Sequence, residues 1–420
     1  MSKIMEYFQT LTQIPHCSYE ADKLKDFLVD FGTIRGYSVV VDEVDNIMIK
    51  KQGAKLAFQA HYDMVCVGRA PQLETYIEDG WMYAKESSLG ADNGMAIAMM
   101  MALMDEGKAC EFIFTSDEEV GLIGADALSF ELESEYMLNL DSEDEAEVYI
   151  GCAGGVDIKA RKKLEFIPYH DSFYEVTVSG LAGGHSGVEI HKDIPNAIKL
   201  FADFLKDKDI MIVSLEGGER INSIPVNVKA VVGSHACLES SEFIEVKKVE
   251  GNFKAFDGRE LIEMLDTFEN GVLSFNEALD VPDTSINLAL IMIEDNTIMI
   301  EASARAMDAE GLESVKNSAT AHFDKYSYSV EHHGKYPAWK PEINDFSHIV
   351  DDAMREVCGE SAFKAIHAGL ECAIISQHYP DMKITSIGPN IRSPHSKHEK
   401  VEIASVEKIY SVVQRVLERL

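Results

Sequence analysis

Residues 111–125 read EFIFTSDEEVGLIGA, and in this stretch an apolar segment runs directly into three acids. Glu111–Thr115 has the short apolar pattern of a buried strand. The acids that follow, Asp117, Glu118 and Glu119, repel one another. A solvated turn would tolerate them, whereas a metal site would use them, and this stretch alone leaves both interpretations open.

The segments around this stretch alternate between strand-like and helical patterns. Short apolar or alternating runs predict strands at 37–41, 46–50, 55–59, 111–115 and 136–140, and longer runs predict helices at 4–31 and 94–104. The helix at 94–104 is apolar all round, which is typical of a buried helix. This alternation predicts an α/β fold, in which a mixed sheet carries helices on its faces.

The pattern changes near residue 171 and changes back near residue 336. Between these points the sequence predicts strands at 173–179, 227–232, 297–303 and 326–331, with helices at 196–206 and 310–326. Such a mixture is typical of an α+β unit. We therefore predict a catalytic domain made of residues 1–171 and 336–420, which is split by an inserted domain over residues 172–335.

Composition excludes several classes of partner. The chain of 420 residues has 38 Lys and Arg against 72 Asp and Glu, which gives a formal net charge of −34. Such a polyanion repels nucleic acid and anionic lipid, because both expose phosphates. The sequence predicts no membrane span, and its 7 scattered cysteines favour reduced thiols and a cytoplasmic location.

A histidine and an aspartate stand together at the end of a predicted strand. In 58–65 (FQAHYDMV), His61 and Asp63 are two residues apart, so they point to the same face of a strand. A metal-bound imidazole usually donates its other N–H to a carboxylate. The pair can therefore supply a ligand and the group that orients it, although on its own it is more typical of a structural contact.

Three further residues extend this set along the chain. Asp92 precedes the buried helix, where it is either an N-cap or a ligand, Asp141 ends another predicted strand, and His395 lies in a loop bounded by prolines. Taken singly, Asp92 and His395 favour structural roles. Combined with Glu118 and Glu119, they form a set of two histidines and several carboxylates that suits zinc, with cobalt or manganese as alternatives.

Eight strings lie along residues 60–401 in this order: AHYDMV, GADNGMAIA, TSDEEVGLIGA, LNLDSED, GGHSGVEIH, RINSIPVN, HAGLECAI and GPNIRSPHSKHEKV. With these strings the chain resembles the di-zinc metallopeptidase family that includes aminoacyl-histidine dipeptidases, carnosinases, tripeptide aminopeptidases and deacylases. HAGLEC and GGHSGVEIH are most similar to the aminoacyl-histidine (Xaa-His) dipeptidase branch. The resemblance implies a mixed-sheet zinc-peptidase catalytic domain with an inserted α+β lid or dimerisation domain.

The resemblance also implies two Zn²⁺ ions per chain and a ligand set for each. One ion would be held by His61, Asp92 and Asp141, and the second by Asp92, Glu119 and His395, so that Asp92 bridges them. An aspartate at the position of Asp141 is similar to the peptidase subgroup of the family. Deacylases and carboxypeptidases of this family tend to carry Glu there.

Catalytic roles follow from the same resemblance. Glu118 would be the general base that takes a proton from the attacking water and passes it to the leaving amine, and Asp63 would orient His61. Burial and neighbouring acids should raise the pKa of Glu118, whereas zinc should lower it. His185, in GGHSG of the inserted domain, would stabilise the oxyanion of the intermediate, either in its own subunit or in a neighbouring one.

Three residues resemble substrate-binding positions. Asn222 and Arg305 are similar to lid residues that hold the substrate carboxylate, a task that suits the paired donors of Arg, and Glu371 in HAGLEC could meet the substrate amine. The implied function is the hydrolysis of short peptides, dipeptides of the Xaa-His type, by a cytoplasmic enzyme that could form a homodimer through its lid. The alternatives are a tripeptide aminopeptidase and an N-acyl amino acid deacylase of the same family.

Overall fold

The computed structural model describes residues 2–420. Its helices are α1 (Lys3–Leu11), α2 (Asp22–Ile34), α3 (Ala91–Asp105), α4 (Ile123–Asp126), α5 (Ala197–Leu205), α6 (Arg259–Thr267), α7 (Ala309–Lys325), α8 (Asp345–Cys358), α9 (Glu371–His378) and α10 (Ile403–Arg419), with a 3₁₀ turn at Glu118–Val120. Among the described residues, no helix has the length and apolar character that a membrane crossing would need.

The strands lie between these helices, mostly in runs of several. They are β1 (Ser38–Val41), β2 (Ile47–Lys50), β3 (Leu56–His61), β4 (Thr75–Glu78), β5 (Trp81–Ala84), β6 (Glu111–Thr115), β7 (Tyr136–Asn139), β8 (Glu147–Cys152), β9 (Gly154–Lys163), β10 (Ile167–Tyr169), β11 (Ser172–Val178), β12 (Gly184–His185), β13 (Ile210–Gly217), β14 (Ser223–Ile224), β15 (Val228–Ser234), β16 (Ile244–Val249), β17 (Phe253–Asp257), β18 (Gly271–Asn276), β19 (Val281–Glu294), β20 (Thr297–Ala306), β21 (Ser329–Tyr336), β22 (Ala362–Ile366), β23 (Lys383–Ser386), β24 (Ile391–Arg392) and β25 (Lys400–Glu402). The predicted α/β fold class is confirmed.

The first of two compact units contains the chain up to Cys152, Trp339–Ala365 and Leu370–Leu420. Its main sheet has the strand order β1-β2-β6-β3-β7-β23-β8-β22. The four central strands are parallel, because β3 pairs in parallel with β6 and β7, and β7 pairs in parallel with β23. Their carboxyl ends therefore meet at one edge of the sheet, where α/β proteins usually place their ligands.

Helix α3 lies in the core of this unit, as the apolar run at 94–104 predicts. Every residue from Asn93 to Met104 is buried, and α1 packs against it. A Cβ atom on Gly94 would lie 2.9 Å from the ring of Phe8. Glycine at this position therefore allows α1 to approach α3 closely.

The second unit contains Ala153–Ala338 and Ile366–Gly369. Its large sheet has the order β16-β11-β15-β13-β19-β20-β9-β21, with β10, β17 and β18 paired at its margins. Helices α5, α6 and α7 contribute apolar side chains such as Phe201, Leu265 and Phe323 to one core with the sheet. This unit has the α+β character that the sequence predicts.

The predicted domain bounds differ from this division at three places. Residues 153–171 and 336–338 belong to the second unit because β9 pairs with both β20 and β21 over most of its length. Residues 366–369 also belong to it, and the backbone N–H of Ala153 donates to the carbonyl of Ile366 at 2.9 Å. The functional division into a catalytic domain and a lid at 172–335 stays a prediction.

The predicted helix at 4–31 is wrong, because the chain leaves helical geometry between α1 and α2. This intervening segment contains Pro15, which cannot donate a backbone hydrogen bond, and Cys17, which forms a disulfide with Cys66. The expectation that all 7 thiols are reduced is therefore also wrong for this structure. The cross-link holds the segment beside the residues that follow β3.

Candidate metal centre

The ends of three parallel strands supply the centre of the site. β3 ends at His61, β6 leads into the turn that carries Glu118 and Glu119, and β7 leads to Asp141. Because these strands are parallel neighbours, their ends converge at one edge. The sequence-predicted ligands of the first unit are thus brought together from segments that are far apart in the chain.

His61 lies at the middle of the first ligand group. Its Nε2 atom is 3.1 Å from Oδ1 of Asp92 and 3.5 Å from Oδ1 of Asp141. The imidazole is only 1% exposed. One ligand atom from each of these three residues lies within 4.8 Å of the other two, which is close enough to hold one metal ion.

A second ligand group shares Asp92 with the first. Nε2 of His395 is 2.9 Å from Oε2 of Glu119 and 3.1 Å from Oδ2 of Asp92. Asp92 therefore presents one carboxylate oxygen to each histidine. His61, Glu118 and Glu119 form a third group of sufficient compactness, so Glu118 is close enough to be either a ligand or a base.

The backbone at the start of α3 presents the Asp92 side chain. Helix α3 has Gly90 at its N-cap position, with φ +68°, and Asp92 has a non-helical ψ of 104°. The interpretation of Asp92 as an N-cap is therefore wrong. The next residue, Asn93, donates its side-chain amide to the carbonyl of Leu140 at 3.1 Å and to the carboxylate of Asp141, which ties the two ligand loops together.

Asp63 contacts His61 and the acidic turn at the same time. Its Oδ1 atom is 3.4 Å from Nδ1 of His61 and accepts the backbone N–H of Glu118 at 3.0 Å. Its Oδ2 atom accepts the hydroxyl of Ser18 at 2.7 Å. Burial alone would raise the pKa of Asp63, but the hydrogen bond and charge of His61 outweigh it and lower the pKa.

The acids of the site are costly to ionise without a cation. Burial raises the pKa of Glu118 well above its ordinary value, and Asp141 and Glu119 act in the same direction. Burial also raises the pKa of Asp141 to about 6. One oxygen of Glu119, Oε1, is buried and has no hydrogen-bond partner among residues 2–420. This orphaned oxygen and the surplus of carboxylates fit a site that is completed by divalent cations.

His395 responds to the same surplus of negative charge. Burial on its own lowers the pKa of His395, but the hydrogen bonds and charges of Asp92 and Glu119 raise it to about 11. In the absence of a metal ion, an imidazolium in this position would balance the charge of the two carboxylates. The donor set of imidazole and carboxylate groups fits zinc.

Glu371 lies at the first residue of α9 and is fully buried. Its Oε2 atom accepts the amide of Gln59 at 2.5 Å and the hydroxyl of Thr115 at 2.8 Å. Burial raises its pKa to about 7. These contacts direct one oxygen into the sheet below the site, and a contact with a substrate amine stays a prediction.

The remaining predicted residues lie in the second unit. His185, on β12, pairs with Ser223 of β14, and the N–H of Ser186 donates to the carbonyl of Asn222 at 2.9 Å. Nδ1 of His185 accepts the N–H of Gly187 at 3.1 Å. A neutral His185 ring therefore carries its proton on Nε2, where it is a donor.

Arg305 lies on β20 in the same unit and is 7% exposed. Its Nη1 atom donates to the hydroxyl of Tyr336 at 2.6 Å, and its Nε atom has no hydrogen-bond partner among the described residues. His185, Asn222 and Arg305 are thus ordered within the second unit. Their roles toward a substrate stay predictions.

Two residues near the ligands were missed by sequence reasoning. Glu143 lies in the acidic run at 142–147, where burial and the charges of Asp92 and Asp141 raise its pKa to about 8. Asp117, which has no role in the predicted site, accepts the backbone N–H of Tyr19 at 2.6 Å. No periodicity in the sequence marks the environment of either residue, because each environment depends on a distant segment.

Comparison with known proteins shows the family to which the chain belongs. The pattern of peptidase family M20/M25/M40 matches residues 57–419. The cytosol non-specific dipeptidase of Escherichia coli strain K12 is 30% identical over 476 aligned residues, which cover 99% of this chain and 97% of that protein. The crystal structure of aminoacylhistidine dipeptidase from Vibrio alginolyticus superposes with a TM-score of 0.86 at 29% identity, covering 100% of this chain and 96% of that one.

More distant structures share the fold alone. A tripeptidase from Staphylococcus aureus has a TM-score of 0.61 at 17% identity, with 99% of this chain and 97% of that chain covered. Human carnosine dipeptidase 1 has a TM-score of 0.54 at 13% identity, again with 99% and 97% covered. On the strength of the family match over most of its length, the chain belongs to peptidase family M20/M25/M40.

Proposed function

We propose that the chain is a dipeptidase that uses two Zn²⁺ ions and acts on short peptides with a free N-terminus, of the Xaa-His type. The proposal rests above all on Asp92, whose two oxygens lie 3.1 Å from Nε2 of His61 and 3.1 Å from Nε2 of His395. A carboxylate that presents one oxygen to each of two histidines is placed to bridge a pair of cations.

The two ligand groups have distinct members apart from Asp92. His61 and Asp141 would complete one site, and Glu119 and His395 the other. Imidazole and carboxylate donors suit Zn²⁺, with Co²⁺ or Mn²⁺ as alternatives. Zinc, when bound, supplies a Lewis acid that polarises a carbonyl group and lowers the pKa of a coordinated water.

Glu118 is the proposed general base. Its backbone N–H donates to the carboxylate of Asp63, which fixes its position, and burial raises the pKa of Glu118 above its ordinary value. A carboxylate with a raised pKa is a better proton acceptor near neutral pH than an ordinary glutamate. Glu118 would take a proton from the attacking water and deliver it to the leaving amine, while Asp63 orients His61.

The second unit would supply most of the substrate contacts, and Glu371 of the first unit would supply one more. His185, with its proton on Nε2, would donate to the oxyanion of the tetrahedral intermediate. Arg305 and Asn222 would hold the substrate carboxylate, and Glu371 would meet the substrate amine. A homodimer through residues 172–335 would let His185 act in a neighbouring subunit. The molar mass of the protein in solution would test whether the homodimer forms.

The relatives support this choice of activity. A relative at 30% identity is named a cytosol non-specific dipeptidase, and a structure at 29% identity is named an aminoacylhistidine dipeptidase. These names favour a dipeptide substrate and a cytoplasmic location. Tripeptide aminopeptidase and N-acyl amino acid deacylase remain the alternatives, and the tripeptidase at 17% identity supports the fold alone.

A substrate panel tests the proposal. Ala-His, Ala-Ala-His, N-acetyl-Ala-His and N-acetyl-alanine would each be incubated with the zinc-loaded enzyme. We expect turnover of Ala-His and loss of turnover when its amine is acetylated. Cleavage of N-acetyl-alanine alone would contradict the proposal, and a strong preference for Ala-Ala-His would favour the tripeptide aminopeptidase.

An amide-capped substrate tests the carboxylate contact. If Arg305 holds the carboxylate, the enzyme should have a higher KM for Ala-His amide than for Ala-His. Arg305→Lys should raise KM for Ala-His and leave KM for the amide nearly unchanged. An equal rise in KM for both substrates would contradict this role.

A further inference from the structure

Glu399 makes an unusual set of contacts beside the metal centre. It lies four residues after His395 and is 2% exposed. Its Oε2 atom accepts the backbone N–H groups of Leu89 at 2.6 Å and Gly90 at 3.0 Å. Its Oε1 atom accepts those of Ala91 at 2.8 Å and Asp92 at 3.3 Å. One buried carboxylate therefore receives four consecutive backbone donors.

These four bonds need two acceptor oxygens. A buried carboxylate is stable only when its oxygens are hydrogen-bonded, and each oxygen of Glu399 has two partners. Glutamine has nearly the same shape but only one acceptor oxygen, and its amide would point two donors at two donors. The contacts thus require a carboxylate, and an uncharged side chain of the same size would not satisfy them.

The same contacts connect two loops of the metal centre. The last of the four donors is the N–H of Asp92, so Glu399 fixes the backbone from which the shared carboxylate projects. Glu399 itself belongs to the short segment that carries His395, and its own N–H donates to the carbonyl of Ser396 at 3.3 Å. His61 and Asp141, in contrast, project from the ends of β3 and β7.

We propose that Glu399 is a positioning residue that holds Asp92 in register with His395, and so sets the geometry of the second metal site. This inference rests on the proposed two-metal function. Glu399 is tied to two of the three ligands in the group formed by Asp92, Glu119 and His395, because it accepts the N–H of Asp92 and shares a short segment with His395. In the group formed by His61, Asp92 and Asp141, it is tied to Asp92 only. Loss of the carboxylate should therefore affect one site more than the other.

Zinc titration against a chromophoric chelator tests the inference independently of activity. The wild type should bind two ions per chain. Glu399→Gln should keep one ion and bind the other about 10- to 100-fold more weakly, as is typical when a group that orients metal ligands is lost. His398→Gln is the matched control, because His398 is exposed and lies next to Glu399 in the same loop. This control should bind zinc like the wild type.

Activity at increasing zinc supplies a second readout. Added zinc should restore kcat of Glu399→Gln toward the wild-type value with little change in KM. Glu399→Asp keeps two acceptor oxygens, so it should bind the second ion more tightly than Glu399→Gln does. A simple structural defect would not produce this order or this rescue by zinc.

Several outcomes would overturn the inference. Wild-type affinity for both ions in Glu399→Gln, or equal weakening of both, would contradict it. If Glu399→Gln is unfolded by circular dichroism, Glu399→Asp carries the test, and unfolding of both would assign Glu399 a purely structural role. A wild type that binds fewer than two ions would instead contradict the proposed function, so the two failures are distinguishable.

Discussion

The Oδ1 atom of Asp63 accepts the backbone N–H of Glu118 at 3.0 Å. Nδ1 of His61 lies 2.9 Å from the backbone carbonyl of Asp63 and 3.4 Å from its carboxylate, so Asp63 contacts a proposed ligand and also fixes the start of the acidic turn. Ser18 holds the other oxygen of Asp63. The proposed base and the first ligand are therefore aligned by a residue that belongs to neither ligand group.

Replacement of this carboxylate should affect both functions. In Asp63→Asn the amide would face N–H donors, so we expect kcat to fall about 10- to 100-fold and zinc affinity to fall as well. Ser18→Ala removes one contact only and should have a smaller effect on both quantities. Steady-state kinetics and zinc titration would check this order, and equal effects of the two substitutions would contradict it.

Replacement of Glu118 separates a base from a ligand. Glu118→Gln should reduce kcat by roughly 10²- to 10⁴-fold, because the amide cannot accept the proton. Zinc content should stay at the wild-type value, since Glu118 lies in neither proposed ligand set. Asp117→Asn is the neighbouring control and should keep most of the activity. Surviving activity in Glu118→Gln would rule out the base, and loss of zinc would make Glu118 a ligand.

Zinc binding should become tighter as pH rises. The pKa of His395 is raised to about 11 in the metal-free chain, and that of His61 is raised well above its ordinary value. Both rings are therefore protonated near neutral pH and must lose their protons to bind metal. Calorimetry in buffers of different ionisation enthalpy should therefore detect proton release when zinc binds at neutral pH. Binding without proton release would contradict these charge states.

The same shift predicts how the metal-free chain responds to pH. The folded-state pKa of His395 exceeds its unfolded value of about 6.5. The ion pairs of His395 thus contribute stability below that value, and the contribution is lost as pH rises toward 11. Urea unfolding of the metal-free protein should show lower stability at pH 9 than at pH 6, with a smaller difference in His395→Gln.

Thiol titration tests the cross-link beside the site. Cys17 and Cys66 are joined, and the other five cysteines are free. The denatured, unreduced chain should therefore titrate as five thiols, and as seven after reduction. The bond closes a loop of 49 residues, so its loss should lower the free energy of unfolding by roughly 4 kcal/mol. Seven thiols before reduction would contradict the cross-link.

Local patterns predicted the elements that carry the site. The strand at 111–115 has the bounds expected from its apolar run, and the helix at 94–104 differs from α3 by a few residues. Each is recognisable because its burial is a property of its own sequence. The ligands could be found because they follow such elements directly.

Features that depend on distant partners could not be predicted in this way. Strand β9 belongs to the second unit because of its pairing with β20, more than 100 residues later in the chain. The break between α1 and α2 accompanies a disulfide to Cys66. Glu399 acts on a backbone segment some 300 residues away. In each case the deciding contact joins segments whose proximity only the folded chain reveals.

The zinc content of the purified wild-type chain tests the central claim most directly. After loading with zinc and dialysis against metal-free buffer, elemental analysis should find about two ions per chain, because Asp92 is proposed to bridge two zinc sites. Asp92→Asn should lose both ions, because each ligand group contains this residue. One ion or none in the wild type, or two retained by Asp92→Asn, would contradict a paired zinc centre.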